Sequence, residues 1–98
     1  MGLQPERVYV VTCRYAPDAA QRRAPVRETH LARIEELMRQ GVVLEAGAFA
    51  DLSASFLMVR APDEAAVRAL LAPDVYFSTG VWTGEVEIRA LDRLVARS

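Results

Sequence analysis

The chain has 98 residues, 52% hydrophobic and 26% charged, which bounds it to one small globular domain (1–98) with a single modest core. The formal net charge is −1 and all twelve basic residues are arginines spread along the chain, which leaves nucleic-acid binding little electrostatic footing. A single cysteine, Cys13, excludes an intrachain disulfide; with one histidine beside it, no dedicated metal site is expected.

Val8 to Arg14 (VYVVTCR) is β-branched and aromatic and reads as a first strand. Tyr15 to Pro25 is a connector with two prolines and room for a helical turn from Ala19 to Arg23. Pro25 suits the first turn of a main helix running from Val26 to Gln40, and Gly41 is a C-terminal stop. Val42 to Phe49 reads as a second strand, Ala50 to Ala54 as a tight turn, and Ser55 to Arg60 as a third strand. Pro62, Asp63 and Glu64 open a second helix, whose inner face is Val67, Leu70 and Leu71 and which Pro73 and Asp74 end. Val81 to Leu91 alternates as a fourth strand, with Trp82, Val86 and Ile88 on one face and Thr83, Glu85 and Glu87 on the other.

The order β-α-β-β-α-β predicts an α+β, ferredoxin-like fold: a four-stranded antiparallel sheet with two helices on one face. The runs VYVV, VVL and FLMV are nevertheless apolar on both sides, which calls for cover on both faces. The chain has no element left for the second face, so a homodimer packed sheet against sheet is expected. No apolar run of about 18 residues and no signal-peptide pattern is present, so no membrane partner is expected and the cytoplasm is the default compartment.

His30 is the chain's one histidine. In the helix it falls within about 50° of the centre of the stripe formed by Leu31, Ile34, Leu37 and Met38. Arg27, three residues earlier, lies on the same side. Two chargeable groups facing inward need hydrogen-bond partners or a solvent-filled pocket, so a small pocket under this helix end is the leading site. On spacing alone, the plainer alternative, a core histidine satisfied by a nearby carbonyl, is the commoner arrangement.

Three segments carry a family resemblance. Arg23-x3-Arg27-x2-His30-Leu31, then Gly41-Val42-Val43-Leu44-Glu45-Ala46-Gly47, then Asp74-x-Tyr76 followed by Gly80-Val81, taken in that order, resemble the YCII-related (YciI-like) proteins. The resemblance implies a dimeric α+β barrel and a site built on His30 and Asp74. Its members include a dehydrochlorinase acting on a chlorinated hydroxyhydroquinone, and muconolactone isomerases are relatives in fold. Two departures stand out: Val75 replaces the family's proline after the aspartate, and Ala48 replaces the one after Gly47.

A His30–Asp74 pair is an acid–base unit in which the carboxylate sets the imidazole tautomer. It suits cofactor-independent isomerisation or elimination on a small anionic or phenolic metabolite. Arg27 and Arg23 are candidates to hold the substrate's carboxylate or phenolate, with a solvated face as the alternative for each. Tyr76 is a pocket candidate through its neighbour Asp74, which would by itself read as a turn cap. Tyr9 and Trp82 read as packing residues, Trp82 in the core or at a dimer interface, and Cys13 as buried and inert. The competing functional readings are a non-catalytic dimeric module that binds a small ligand or a partner, and an oligomerising domain in which His30 is structural.

Overall fold

Residues 2–97 are described by a computed structural model. The valine-rich first strand extends further than its apolar run: β1 is Gly2–Tyr15, followed by α1 (Ala19–Arg22), α2 (Arg27–Arg39), β2 (Val43–Ala48) and β3 (Ala54–Val59). α3 (Glu64–Leu71), α4 (Val75–Ser78) and β4 (Trp82–Arg97) complete the chain. The sheet order is β2-β3-β1-β4, with β1 antiparallel to both β3 and β4. This is the expected ferredoxin-like arrangement, in which each βαβ unit has a strand of the other inserted between its own.

Among the described residues four helices are present, where the sequence suggests two long ones and a possible turn. The unforeseen one is α4, a four-residue helix just after Asp74. α2 and α3 start and stop for the expected reasons. Asp63 caps α3 by accepting from the Ala66 amide at 2.8 Å. Gly41 ends α2 at φ +74°, a left-handed conformation that a glycine adopts without strain.

All four helices cover one sheet face. Val11, Cys13, Leu57 and Val59 on that face pack with Ala19, Ile34, Val67, Leu71 and Tyr76 into one core. By strand alternation, Val10, Phe56 and Met58 lie on the opposite face, where each stays half-buried. Trp82 belongs to the core, at 2% exposure, which settles its two-way sequence reading in favour of the core.

β1 and β4 continue past the sheet as a two-stranded ribbon that pairs Gly2 with Arg97 and Arg7 with Asp92. Cross-strand charge pairs hold its register: Arg7 Nε to Asp92 at 2.6 Å and Arg93 Nε to Glu6 at 2.7 Å. Glu6 also accepts from Arg60, and the two guanidiniums, Arg60 first, hold its carboxyl down at about 2. Among the described residues, no helix is long and apolar enough to cross a membrane.

Candidate active site

The helix face that carries His30 is rotated from the expected one. His30 and Ile34 are the buried residues of α2, whereas Leu31 and Met38 of the proposed stripe are 42% and 40% exposed. The inward stripe is therefore His30, Ile34 and Leu37 at the i, i+4, i+7 spacing, and Leu31 and Met38 edge an adjoining cavity.

His30 and Asp74, 44 positions apart in sequence, meet in the core. His30 Nδ1 lies 2.8 Å from one carboxylate oxygen of Asp74 and 3.0 Å from the other. An ionised carboxylate only accepts, so Nδ1 carries the proton in this contact and Nε2 is left with a free lone pair. Asp74 is 1% exposed and accepts twice more, from the Tyr76 amide at 2.9 Å and from Arg33 Nη1 at 3.3 Å. Four contacts on one buried carboxylate account for a charge that would be prohibitive if unpaired.

Local sequence explains why Asp74 points there. It caps α4 through its own side chain, at φ −65° and ψ 134°. That is also the backbone region a following proline would impose. Here Val75 follows, and the Asp74–Tyr76 cap supplies the constraint. The two sequence readings of Asp74, turn cap and partner of His30, are both realised by the same carboxylate.

Arg33 escaped the sequence reading. Its guanidinium bridges Asp74 and the Leu70 carbonyl, tying α2 to the end of α3. The signal was its place three residues after His30, on the same helix face.

Tyr76 forms the site's other wall. Its ring stacks on the His30 imidazole with centroids 3.7 Å apart and planes 9° from parallel, and Trp82 meets both rings edge-on at 5.4 Å. Burial pushes the Tyr76 hydroxyl above its ordinary value, so it is neutral at pH 7.

These groups line a cavity of about 330 Å³ between α2 and the β2–β3 end of the sheet. Arg23 and Arg27 both line it, Arg23 lying 5.9 Å over the Tyr15 ring. Among the described residues neither arginine is in an ion pair. Burial raises the Tyr15 hydroxyl as well, against the pull of Arg23 and Arg27. The five sequence candidates, His30, Asp74, Arg27, Arg23 and Tyr76, thus come together: four line the cavity and Asp74 stands behind His30. A larger, more open concavity, lined by Thr12, Arg14, Leu52 and Glu87, shares Tyr15 with this cavity and does not include His30.

Comparison with known proteins adds three findings. The family model described as the YCII-related domain matches residues 8–92. No curated protein matches the chain. One similar solved structure is the 5-chloro-2-hydroxyhydroquinone dehydrochlorinase TftG from Burkholderia phenoliruptrix AC1100, in complex with 2,5-dihydroxybenzoquinone. It superposes with a TM-score of 0.71 at 19% identity, covering 84% of this chain and 90% of that one.

Proposed function

The chain belongs to the YCII-related domain family, and on that premise we propose a small, cofactor-independent enzyme in which His30 and Asp74 form the acid–base pair. The observation that carries the reading is the Nδ1 contact to both oxygens of a buried Asp74, on the wall of a cavity whose two arginines are in no ion pair among the described residues.

In this reading Nε2 of the neutral imidazole removes a proton next to a carbonyl, or from a phenol, of the bound ligand. The positive charge that forms on the ring lies against the Asp74 carboxylate, which stabilises it. Returning the proton to another atom of the ligand is an isomerisation. Expelling an anion such as chloride from the deprotonated ligand is an elimination. Arg27 and Arg23 hold the ligand's carboxylate or phenolate by charge-assisted hydrogen bonds. The cavity volume suits one ring or a short unsaturated acid. The similar fold of a dehydrochlorinase solved with a dihydroxybenzoquinone supports a small oxygenated ring as ligand.

The reading extends to assembly and location. A second copy of the chain covers the sheet face bearing Val10, Phe56 and Met58, giving a homodimer, since all the helices among the described residues lie on the other face. The reading takes the compartment to be the cytoplasm.

A thermal-shift screen of wild type and His30→Ala against aromatic and unsaturated acids, phenols and lactones tests the reading. A ligand that raises the wild-type melting temperature and not that of an equally stable variant supports it. A variant that melts far lower, with neither protein responding to any compound, refutes it in favour of a structural histidine.

A further inference from the structure

The sheet face turned away from the helices is charged unevenly along its length. On β4 the residues that alternate outward begin with Glu85 and Glu87 and go on to Arg89, Arg93 and Arg97. The strand is therefore acidic where it starts and basic where it ends. Its neighbours carry the same trend. At the acidic end Arg14 pairs with Glu85 at 2.8 Å, and Glu87 and Asp51 are in no ion pair among the described residues. At the basic end Arg60 and Arg93 share one carboxylate, Glu6.

Shape follows charge. The basic end is the ribbon of Gly2–Arg7 paired with Asp92–Arg97, which runs past the stretch of β1 that β3 covers, Tyr9 to Arg14. The acidic end is hollow, an open concavity of about 1080 Å³ lined by Thr12, Arg14, Asp51, Ser53, Glu85 and Glu87. A protrusion and a hollow of opposite charge, at opposite ends of one face, complement each other under a two-fold axis.

The apolar middle of the face places that axis. Val10 is the cross-strand partner of Met58, and Phe56 is that of Thr12. An axis lying across the strands at Val10 turns the second sheet antiparallel to the first. It carries the level of Glu6 and Arg93, four residues to one side, onto the level of Arg14 and Glu85, four residues to the other. Each carboxylate then meets a guanidinium. Stacking with the strands parallel gathers both basic ends at one end of the dimer and both acidic ends at the other.

We propose that two copies of the chain stack their sheets with strands antiparallel, each seating its basic ribbon in the acidic concavity of the other. This rests on the reading of the sheet face as a homodimer interface and adds its orientation and its contacts. It also joins the interface to the His30 cavity. Tyr15 lines that cavity and the concavity alike, so the second copy's ribbon backs one of its walls.

Crosslinking tests the orientation on the full chain. Gln4→Cys puts a thiol on the outward side of the ribbon, and Ser53→Cys puts one in the concavity. The native Cys13 is buried and stays unreactive. A short bismaleimide is expected to link dimers when the two variants are incubated together, and to link neither variant to itself. Glu87→Gln is expected to raise the dimer dissociation constant about tenfold in low salt, because the two-fold axis repeats each surface contact. Gln4→Cys linked to itself, a mixture that sediments as a dimer yet does not crosslink, or an equal or tighter Glu87→Gln dimer overturns the proposal and leaves sheet pairing standing. A wild-type chain that sediments as a monomer at high micromolar concentration overturns both.

Discussion

The imidazole of His30 and the phenol ring of Tyr76 lie face to face, 3.7 Å apart and 9° from parallel. The four-residue α4 that supplies Tyr76 is capped by the preceding Asp74, whose carboxylate also accepts from His30. One turn of chain therefore fixes the imidazole in two directions, by stacking on its face and by a hydrogen bond in its plane.

That double fixation separates two substitutions at Tyr76. Tyr76→Phe keeps the stacked ring and is expected to change unfolding free energy by less than about 1 kcal/mol. Tyr76→Ala opens a cavity under His30 and is expected to cost about 3–5 kcal/mol. Urea unfolding followed by circular dichroism measures both, and similar losses for the two would show that the hydroxyl, not the ring, does the holding.

Asp74→Asn keeps a cap acceptor for the Tyr76 amide and removes the charge facing His30 and Arg33. The expected destabilisation is about 1–3 kcal/mol, because Arg33 loses a charged partner. The expected loss of turnover on any substrate found is about 10²–10⁴-fold. Turnover close to that of wild type would remove Asp74 from the chemistry and leave it as a cap.

Much of this arrangement was legible in the sequence, and the gaps have physical reasons. The element order and the partnership of His30 with Asp74 were readable, the second through the ordered resemblance at Arg23–Leu31 and Asp74–Val81 and not through spacing. The helix face was misjudged because Leu31 and Met38 look like core residues, whereas they edge a cavity and remain partly exposed. Arg33 was passed over because an arginine in a polar helix reads as solvated. The ends of β1 and β4 were hidden because Gly2, Pro5 and the mixed run Asp92–Arg97 show no apolar alternation, and cross-strand charge pairs such as Arg7–Asp92 link that ribbon.

The ribbon gives an expectation for acid stability. The Glu6 carboxyl sits at about 2, below its ordinary value of 4.5, through Arg60 first and Arg93 second. A lowered folded-state value means that its contribution is present above about pH 4.5 and is lost as pH falls toward 2. Wild type should therefore lose stability more steeply than Glu6→Gln between these limits. Urea midpoints at pH 5 and pH 3 check this, and parallel slopes for the two proteins would contradict it.

Burial pushes the Cys13 thiol up to about 12, so almost no thiolate exists at pH 8. Ellman's reagent should leave the native protein unmodified over hours and label one thiol per chain promptly in urea. Rapid labelling of the native protein would show that the β1 core opens locally.

The uncovered sheet face should give way to a single charge. Met58→Glu places a carboxylate among Val10 and Phe56, and sedimentation velocity is expected to show a dimer for wild type and a monomer for the variant. A wild-type monomer at high micromolar concentration would refute sheet-face pairing.

The most direct test of the His30–Asp74 chemistry is hydrogen–deuterium exchange into a bound ligand. The ligand with the largest thermal shift is incubated in D₂O with wild type or His30→Ala, and its carbon-bound protons are followed by NMR. Wild type should exchange one ligand proton at least about 10²-fold faster than the variant. Equal exchange with both proteins, or none in a saturated wild-type complex, would contradict an acid–base role for His30.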